Sequence, residues 1–153
     1  MGSVYIGSTK IDSFEDEITI SKTAKLLTEI TSVTIPSDIT IIGSDAFESL
    51  TKVTSITIPA SVKEIESSAF SDSGLTSITI PASVTDIGMW AFRDCTALKK
   101  VYFAGNPPSM FGDCAFKGVS GATFYYKSGN TKWTAAIRTS TYGGSTGTTW
   151  ATY

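Results

Sequence analysis

The chain contains no histidine, and that absence closes several kinds of chemistry at once. A serine–histidine–aspartate triad, a histidine general base and a histidine-ligated zinc site all require the imidazole. Carboxylates remain, and a pair of them can hydrolyse a glycoside when a desolvating environment keeps one neutral. Glu64, Glu66, Asp86 and Asp94 fall at positions expected to face water, where nothing would raise a pKa. Asp12, Glu15, Asp16 and Glu17 lack the alternating spacing of a calcium loop and read as solvated surface. The two cysteines, Cys95 and Cys114, are too few for a disulfide framework. They fall at different positions of successive sequence repeats, so both are expected to be structural thiols. The expectation is a non-catalytic chain with no cofactor and no metal.

The elements that would present any remaining site are set by a repeat. Ile-Pro recurs at Ile35-Pro36, Ile58-Pro59 and Ile80-Pro81, at spacings of 23 and 22 residues. Ala-Phe recurs at Ala46-Phe47, Ala69-Phe70, Ala91-Phe92 and Ala115-Phe116, at spacings of 23, 22 and 24. The blocks ITSVTIPSDITIIGSDAF, VTSITIPASVKEIESSAF and LTSITIPASVTDIGMWAF align without a gap. In Leu75-x-x-Ile78-x-Ile80 the last apolar residues alternate with polar ones, the mark of a half-buried strand. The proline that follows cannot donate to a ladder, so the strand stops there. Val84-x-x-Ile87 turns the chain inward again. Gly43, Gly88 and Gly112 are expected to supply a backbone conformation that other residues resist. Ala91-Phe92 then inserts a ring into the stack. One unit cannot bury its own apolar face, but stacked neighbours share a continuous core.

This pattern resembles the BspA-like (Treponema-type) leucine-rich repeat family, whose units read roughly L-x-x-I-x-I-P-x-x-V-x-x-I-G-x-x-A-F-x-x-C. The match runs over about residues 27–124 and is specific across three consecutive units. Leu98-Lys99-Lys100-Val101-Tyr102-Phe103 opens a fourth unit, which departs after its strand. There AGNPPSMFGDCAF replaces the usual turn, with Phe111 at the isoleucine position and Gly112 at the glycine. Residues Val119 to Phe124 are expected to form a fifth, shortened strand. Cys95 occupies the family's cysteine position. The implied fold is mainly β, a short right-handed leucine-rich-repeat solenoid of about five stacked rungs with terminal caps. Boundaries are expected at 1–29 for an amino-terminal cap, 30–124 for the repeats and 125–153 for a carboxy-terminal cap and tail. The first cap would bury Val4, Ile6, Ile18, Ile20, Leu26 and Leu27. FYYKSGNTKWTAAI reads as a closing turn and short helix or hairpin, with Trp133 as cap core. TSTYGGSTGTTWATY has the composition of a linker, although Tyr142, Trp150 and Tyr153 are unusual in one.

Composition narrows the setting. Charged residues make up only 17%, against the usual quarter or so, and Ser and Thr fill the polar positions. Such a surface suits strands and extracellular contact. The net charge of −2 argues against nucleic acid as a partner, which needs a basic stripe. Residues 1–76 nevertheless sum to −6 and residues 77–153 to +4. No apolar run is long enough to span a membrane, and no secretory leader opens the chain. The initial Met-Gly-Ser reads as an added start, so the chain is expected to be a monomeric module of a larger surface protein whose export signal lies elsewhere.

Alternation then places Ser32 and Thr34, Ser55 and Thr57, Ser77 and Thr79, Lys100 and Tyr102, and Gly121 and Thr123 outward on successive strands. The hydroxyl rows have a plain explanation in strand propensity, and three rungs are too few for an ice-binding array. The fourth rung breaks the ladder with Lys100 and Tyr102, and Trp90 replaces Asp45 and Ser68 of earlier units. Exposed aromatics mark contact sites for proteins or sugar rings. The candidate ligand-binding residues are therefore Thr57, Ser77, Thr79, Trp90, Lys100, Tyr102 and Tyr125. The resemblance implies a bacterial or protist surface protein that adheres to host or microbial surface proteins. An alternative is a carbohydrate-binding module of a multimodular polysaccharide-degrading enzyme or cellulosomal protein. That reading needs Trp90, Tyr102, Tyr125, Tyr126 and Trp133 to form one exposed platform. A third is a spacer with neither feature.

Overall fold

The computed structural model describes residues 31–139 and 141–153, together with the backbone of three short strands at 3–6, 9–12 and 17–18. Of the residues expected to fill the amino-terminal cap, the side chains of Val4, Ile6 and Ile18 and all of Ile20, Leu26 and Leu27 lie outside the described residues. The strands β1 (Ser3–Ile6) and β2 (Thr9–Asp12) form an antiparallel hairpin, and β1 pairs antiparallel with β4 (Val33–Thr34).

From β4 onward the chain winds as a β-solenoid. One parallel sheet takes β3 (Glu17–Ile18), β5 (Ile41–Ile42), β6 (Glu64–Ile65), β8 (Asp86–Ile87) and β10 (Met110–Phe111). They are two residues each and form the short-strand sheet; β6 and β8 close Val62-x-x-Ile65 and Val84-x-x-Ile87, and β5 closes Ile39-x-x-Ile42. The other parallel sheet holds β7 (Ser77–Ile80), β9 (Lys100–Phe103), β11 (Thr123–Tyr126) and β12 (Thr149–Thr152), four residues each, and is the long-strand sheet. The Thr76 N–H donates to the Thr54 carbonyl at 2.9 Å and a parallel bridge joins Thr57 to Thr34, which carries the line into the earlier rungs.

Each unit folds for local reasons. Ile78 and Ile80 point inward and are buried, while Thr79 between them is exposed. The Pro-x-x-Val turn closes when the valine N–H donates to the proline carbonyl, Val62 to Pro59 and Val84 to Pro81, both at 3.2 Å. The Ala-Phe corner is laddered from rung to rung. The N–H of Phe47, Phe70 and Phe92 donates to the carbonyl of Ala69, Ala91 and Ala115 in turn, each at 2.7 Å. The rings stack in a column: Phe47 on Phe70 at 5.2 Å, Phe70 on Phe92 at 5.1 Å, and Phe92 on Phe116 at 5.0 Å. All four are buried. Burial of each contributes about 1.5–3 kcal/mol, with about 0.5–1.5 more for each aromatic contact.

Three sequence expectations are corrected here. Gly43, Gly88 and Gly112 do not adopt positive φ; the left-handed residues come two positions later, at Asp45, Ser68, Trp90 and Cys114. Gly88 and Gly112 serve close approach instead. A Cβ at Gly88 would lie 2.6 Å from the Ser67 nitrogen, and one at Gly112 would lie 2.3 Å from the Met89 nitrogen. The fifth long strand is Thr123–Tyr126, so its outward pair is Thr123 and Tyr125, not Gly121 and Thr123. FYYKSGNTKWTAAI contains the strand and then turns, with no helix.

The last residues do not behave as their composition suggests. β12 pairs in parallel with β11 over its whole length, with Trp150 opposite Phe124. A short 3-10 turn at Tyr142–Gly144 carries the phenylalanine ladder one step further, the Phe116 N–H donating to the Gly143 carbonyl at 2.7 Å. Trp133 is buried, as a cap residue should be, and its Nε1–H donates to the Gly105 carbonyl at 3.0 Å. Around it Phe103, Tyr142 and Trp150 meet ring to ring, at 4.7, 6.0 and 5.3 Å from its centroid.

Candidate recognition surface

The long-strand sheet fixes which candidates meet. Its register sets Ser77 beside Lys100 and Thr123, and Thr79 beside Tyr102 and Tyr125. Thr149 and Ala151 complete the two outward rows on β12. Ser77, Thr79, Lys100, Tyr102 and Tyr125 therefore share one face, and the Thr76 N–H, donating to the Thr54 carbonyl at 2.9 Å, sets the rung of Thr57 beside it. Trp90 does not join them, because it sits at the left-handed corner beyond the short-strand sheet.

The centre of the face is aromatic. Tyr102 and Tyr125 stack at 4.5 Å with an interplanar angle of 12°, and Tyr153 meets Tyr102 edge-on at 5.5 Å. Sequence reasoning missed Tyr153, which reaches the group only because β12 returns the tail to the sheet. Its hydroxyl donates to the Phe103 carbonyl. Partial burial first, and the neighbouring Tyr102 second, push its phenol above the ordinary value. Around the rings the surface is polar. Thr123 and Thr149 share a hydroxyl hydrogen bond of 3.0 Å. Lys100 is exposed on the same rung as Tyr102, whereas Lys99 is tied down, its Nζ donating to the Ser120 carbonyl at 2.8 Å.

The aromatic set of the carbohydrate alternative is divided. Trp133 is core, and Tyr126 is half-buried beneath the Arg138 guanidinium, which stacks on its ring at 5.0 Å and donates to its hydroxyl. Trp90 is 40% exposed with Arg93 over its ring. Tyr126 meets the buried Trp133 at 6.3 Å, and on the outward face Tyr102 and Tyr125 lie together, each giving one ring face to the other.

Neither thiol forms a disulfide. Cys95 is fully buried, donates to the Phe70 carbonyl at 3.0 Å and lies 3.2 Å from the Ser73 hydroxyl; burial pushes its thiol up. Among the described residues no group of three or more acidic or thiol side chains is arranged to hold a metal. None of their helices is long and apolar enough to cross a membrane.

Repeat, column and ladder together define a leucine-rich-repeat solenoid, and comparison names the kind. The profile described as BspA type leucine rich repeat region matches residues 18–141 in six copies, so the chain belongs to that family. Its fold is similar to that of a leucine-rich repeat protein from Bacteroides ovatus, at a TM-score of 0.50 and 27% identity over 80% of this chain and 37% of that one. It is also similar to the pneumococcal vaccine antigen PcpA, at a TM-score of 0.50 and 19% identity over 76% of this chain and 34% of that one, a likeness of fold alone. The chain thus spans about a third of the length of either structure. Among curated proteins no match was found.

Proposed function

We propose that this module recognises a protein surface outside the cell, without catalysis, through the outward face of its long-strand sheet. The observation that carries this reading is the stacked pair Tyr102 and Tyr125, with Tyr153 against it and Lys100 and the threonine rows around it. Tyrosine offers a large, stiff contact with a polar tip, so ordering it costs little entropy on binding. An aromatic centre inside a polar rim is the usual anatomy of a protein contact. Family membership supports the same use, since leucine-rich repeats present sheets for partners. The scarcity of charge supports an extracellular setting.

The mutual stacking of the tyrosines weighs against sugar. A pyranose ring packs on an open aromatic face, and each of these rings gives one face to the other. The test is a binding screen by surface plasmon resonance against immobilised collagen, laminin and fibronectin, with soluble β-glucan, xyloglucan, xylan, mannan and pectin as competitors. Saturable binding to a protein that no glycan competes away supports the reading. Binding that follows a glycan would replace it with the carbohydrate-binding alternative, and silence across the panel would favour a spacer.

A further inference from the structure

The short-strand side carries a second surface, independent of the tyrosine face. Met89, Trp90 and Met110 stay 43%, 40% and 68% exposed, three of the four large apolar side chains left so open among the described residues. Met89 and Trp90 follow the short strand β8, and Met110 lies on the neighbouring β10. β10 pairs in parallel with β8, which sets Met110 beside Asp86, and the next residues bring Gly112 against the Met89 backbone. Met110 walls a shallow groove of about 260 Å³ whose other sides include Glu64, Glu66, Asp86, Ile87 and Ser44.

The polar wall is one-sided. Glu66 is satisfied within the chain, since its carboxylate accepts from the Ser44 N–H at 2.9 Å and from the Ser44 hydroxyl at 3.0 Å. Glu64 and Asp86 stand directly opposite each other on adjacent parallel strands. Like charges at opposed positions of a sheet repel. Among the described residues no lysine or arginine pairs with either of them, and Asp86 accepts only from the Thr85 hydroxyl. At the corner that follows β8, Trp90 holds a φ of 60°, a conformation that bulky side chains resist. The corresponding corners carry Asp45, Ser68 and Cys114, all smaller. Strain of this kind gathers at ligand sites.

We propose that this groove takes a lysine or arginine of a partner protein segment, with an apolar residue beside it in the partner. The aliphatic stem of such a side chain lies along Met110 and Ile87, and its cationic head neutralises Glu64 and Asp86 together. The apolar neighbour covers Met89 and the open face of Trp90, the other face being shielded by Arg93 at 5.7 Å. Charge complementarity selects the cation, and the exposed methionines select a segment with an apolar side chain over a bare polyamine. Methionine suits this use because its flexible thioether adapts to varied shapes.

The experiment uses three acetylated, amidated octapeptides as probes: one alternating lysine and leucine, one lysine and serine, one glutamate and leucine. Each is titrated into the isotope-labelled chain by amide NMR and by calorimetry. The expected result is binding of the lysine–leucine peptide, with shifts at residues 64–67, 86–90 and 110–112. Replacing leucine by serine, the double change Glu64→Gln with Asp86→Asn, or Met110→Ser should each weaken it about fivefold or more. Thr131→Ala, an exposed change outside both surfaces, should leave it unchanged, and melting curves check that each variant stays folded. No binding, equal binding of the lysine–serine or glutamate–leucine peptide, or shifts confined to the tyrosine face would overturn the proposal. So would self-association of the free chain in sedimentation that Met110→Ser abolishes, because the groove would then belong to a second copy.

Discussion

At the corner before each Ala-Phe pair the backbone runs left-handed, with φ of 59°, 56°, 60° and 60° at Asp45, Ser68, Trp90 and Cys114. Short polar residues tolerate that region, and a tryptophan there costs about 1–2 kcal/mol. Trp90→Asn is therefore expected to leave the stability unchanged or raise it by up to about 1 kcal/mol, although it removes an indole. Urea unfolding checks this, and a loss of more than about 2 kcal/mol would show that the ring packs as core. Tyr142 makes the opposite bargain. Burial pushes its phenol well above the ordinary value of 10.0, because the phenolate would sit among aromatic rings. Above pH 10 the unfolded chain releases this proton while the folded chain keeps it, so stability present below that pH is lost as pH rises. Chemical denaturation between pH 9 and about 11 should show that decline, and Tyr142→Phe should flatten it.

The element that holds the stack together is the phenylalanine column. Phe70 lies between Phe47 and Phe92, fully buried, and its N–H belongs to the corner ladder. Phe70→Ala is expected to cost about 3–5 kcal/mol, read as a fall in the denaturation midpoint. This column was legible in the sequence, because Ala-Phe returns at a nearly constant interval and only a stack puts such rings in line. Strand faces were legible too, wherever Ile-Pro marks the end of the strand. The fifth rung shows where that stops. A β-strand repeats every two residues, so sliding it by two keeps Ala122 and Phe124 inward and alters nothing in the alternation. With Tyr126 where other rungs have isoleucine before proline, no residue fixes the end, and Tyr125 replaces Gly121 in the outward rows. The glycines misled for a different reason: a glycine chosen for close approach and one chosen for positive φ look the same in a sequence.

At the scale of the whole molecule, the question is how a stack of rungs ends. Composition hid the answer, since the Ser, Thr and Gly of the tail read as linker while β12 adds a rung. The clues were Tyr142 and Trp150, which close over Phe103, Phe111 and Phe124, and Tyr153, which packs edge-on against Tyr102. The Trp150 Nε1–H also donates to the Thr139 carbonyl at 2.9 Å. Removing residues 141–153 is expected to uncover these rings and lower stability by about 3–6 kcal/mol, at about 1.5–3 for each large side chain. Thermal melts of the shortened chain test it, and an unchanged midpoint would return the tail to a linker. The same rung brings Tyr153 to the outward tyrosines, so the end of the stack also completes the proposed recognition face. The most direct measurement of that face is the affinity of the double variant Tyr102→Ser with Tyr125→Ser for whichever matrix protein the wild type binds. Both side chains point outward, so the fold should hold within about 1 kcal/mol while binding weakens about a hundredfold. Wild-type affinity in a correctly folded variant would contradict recognition through this sheet.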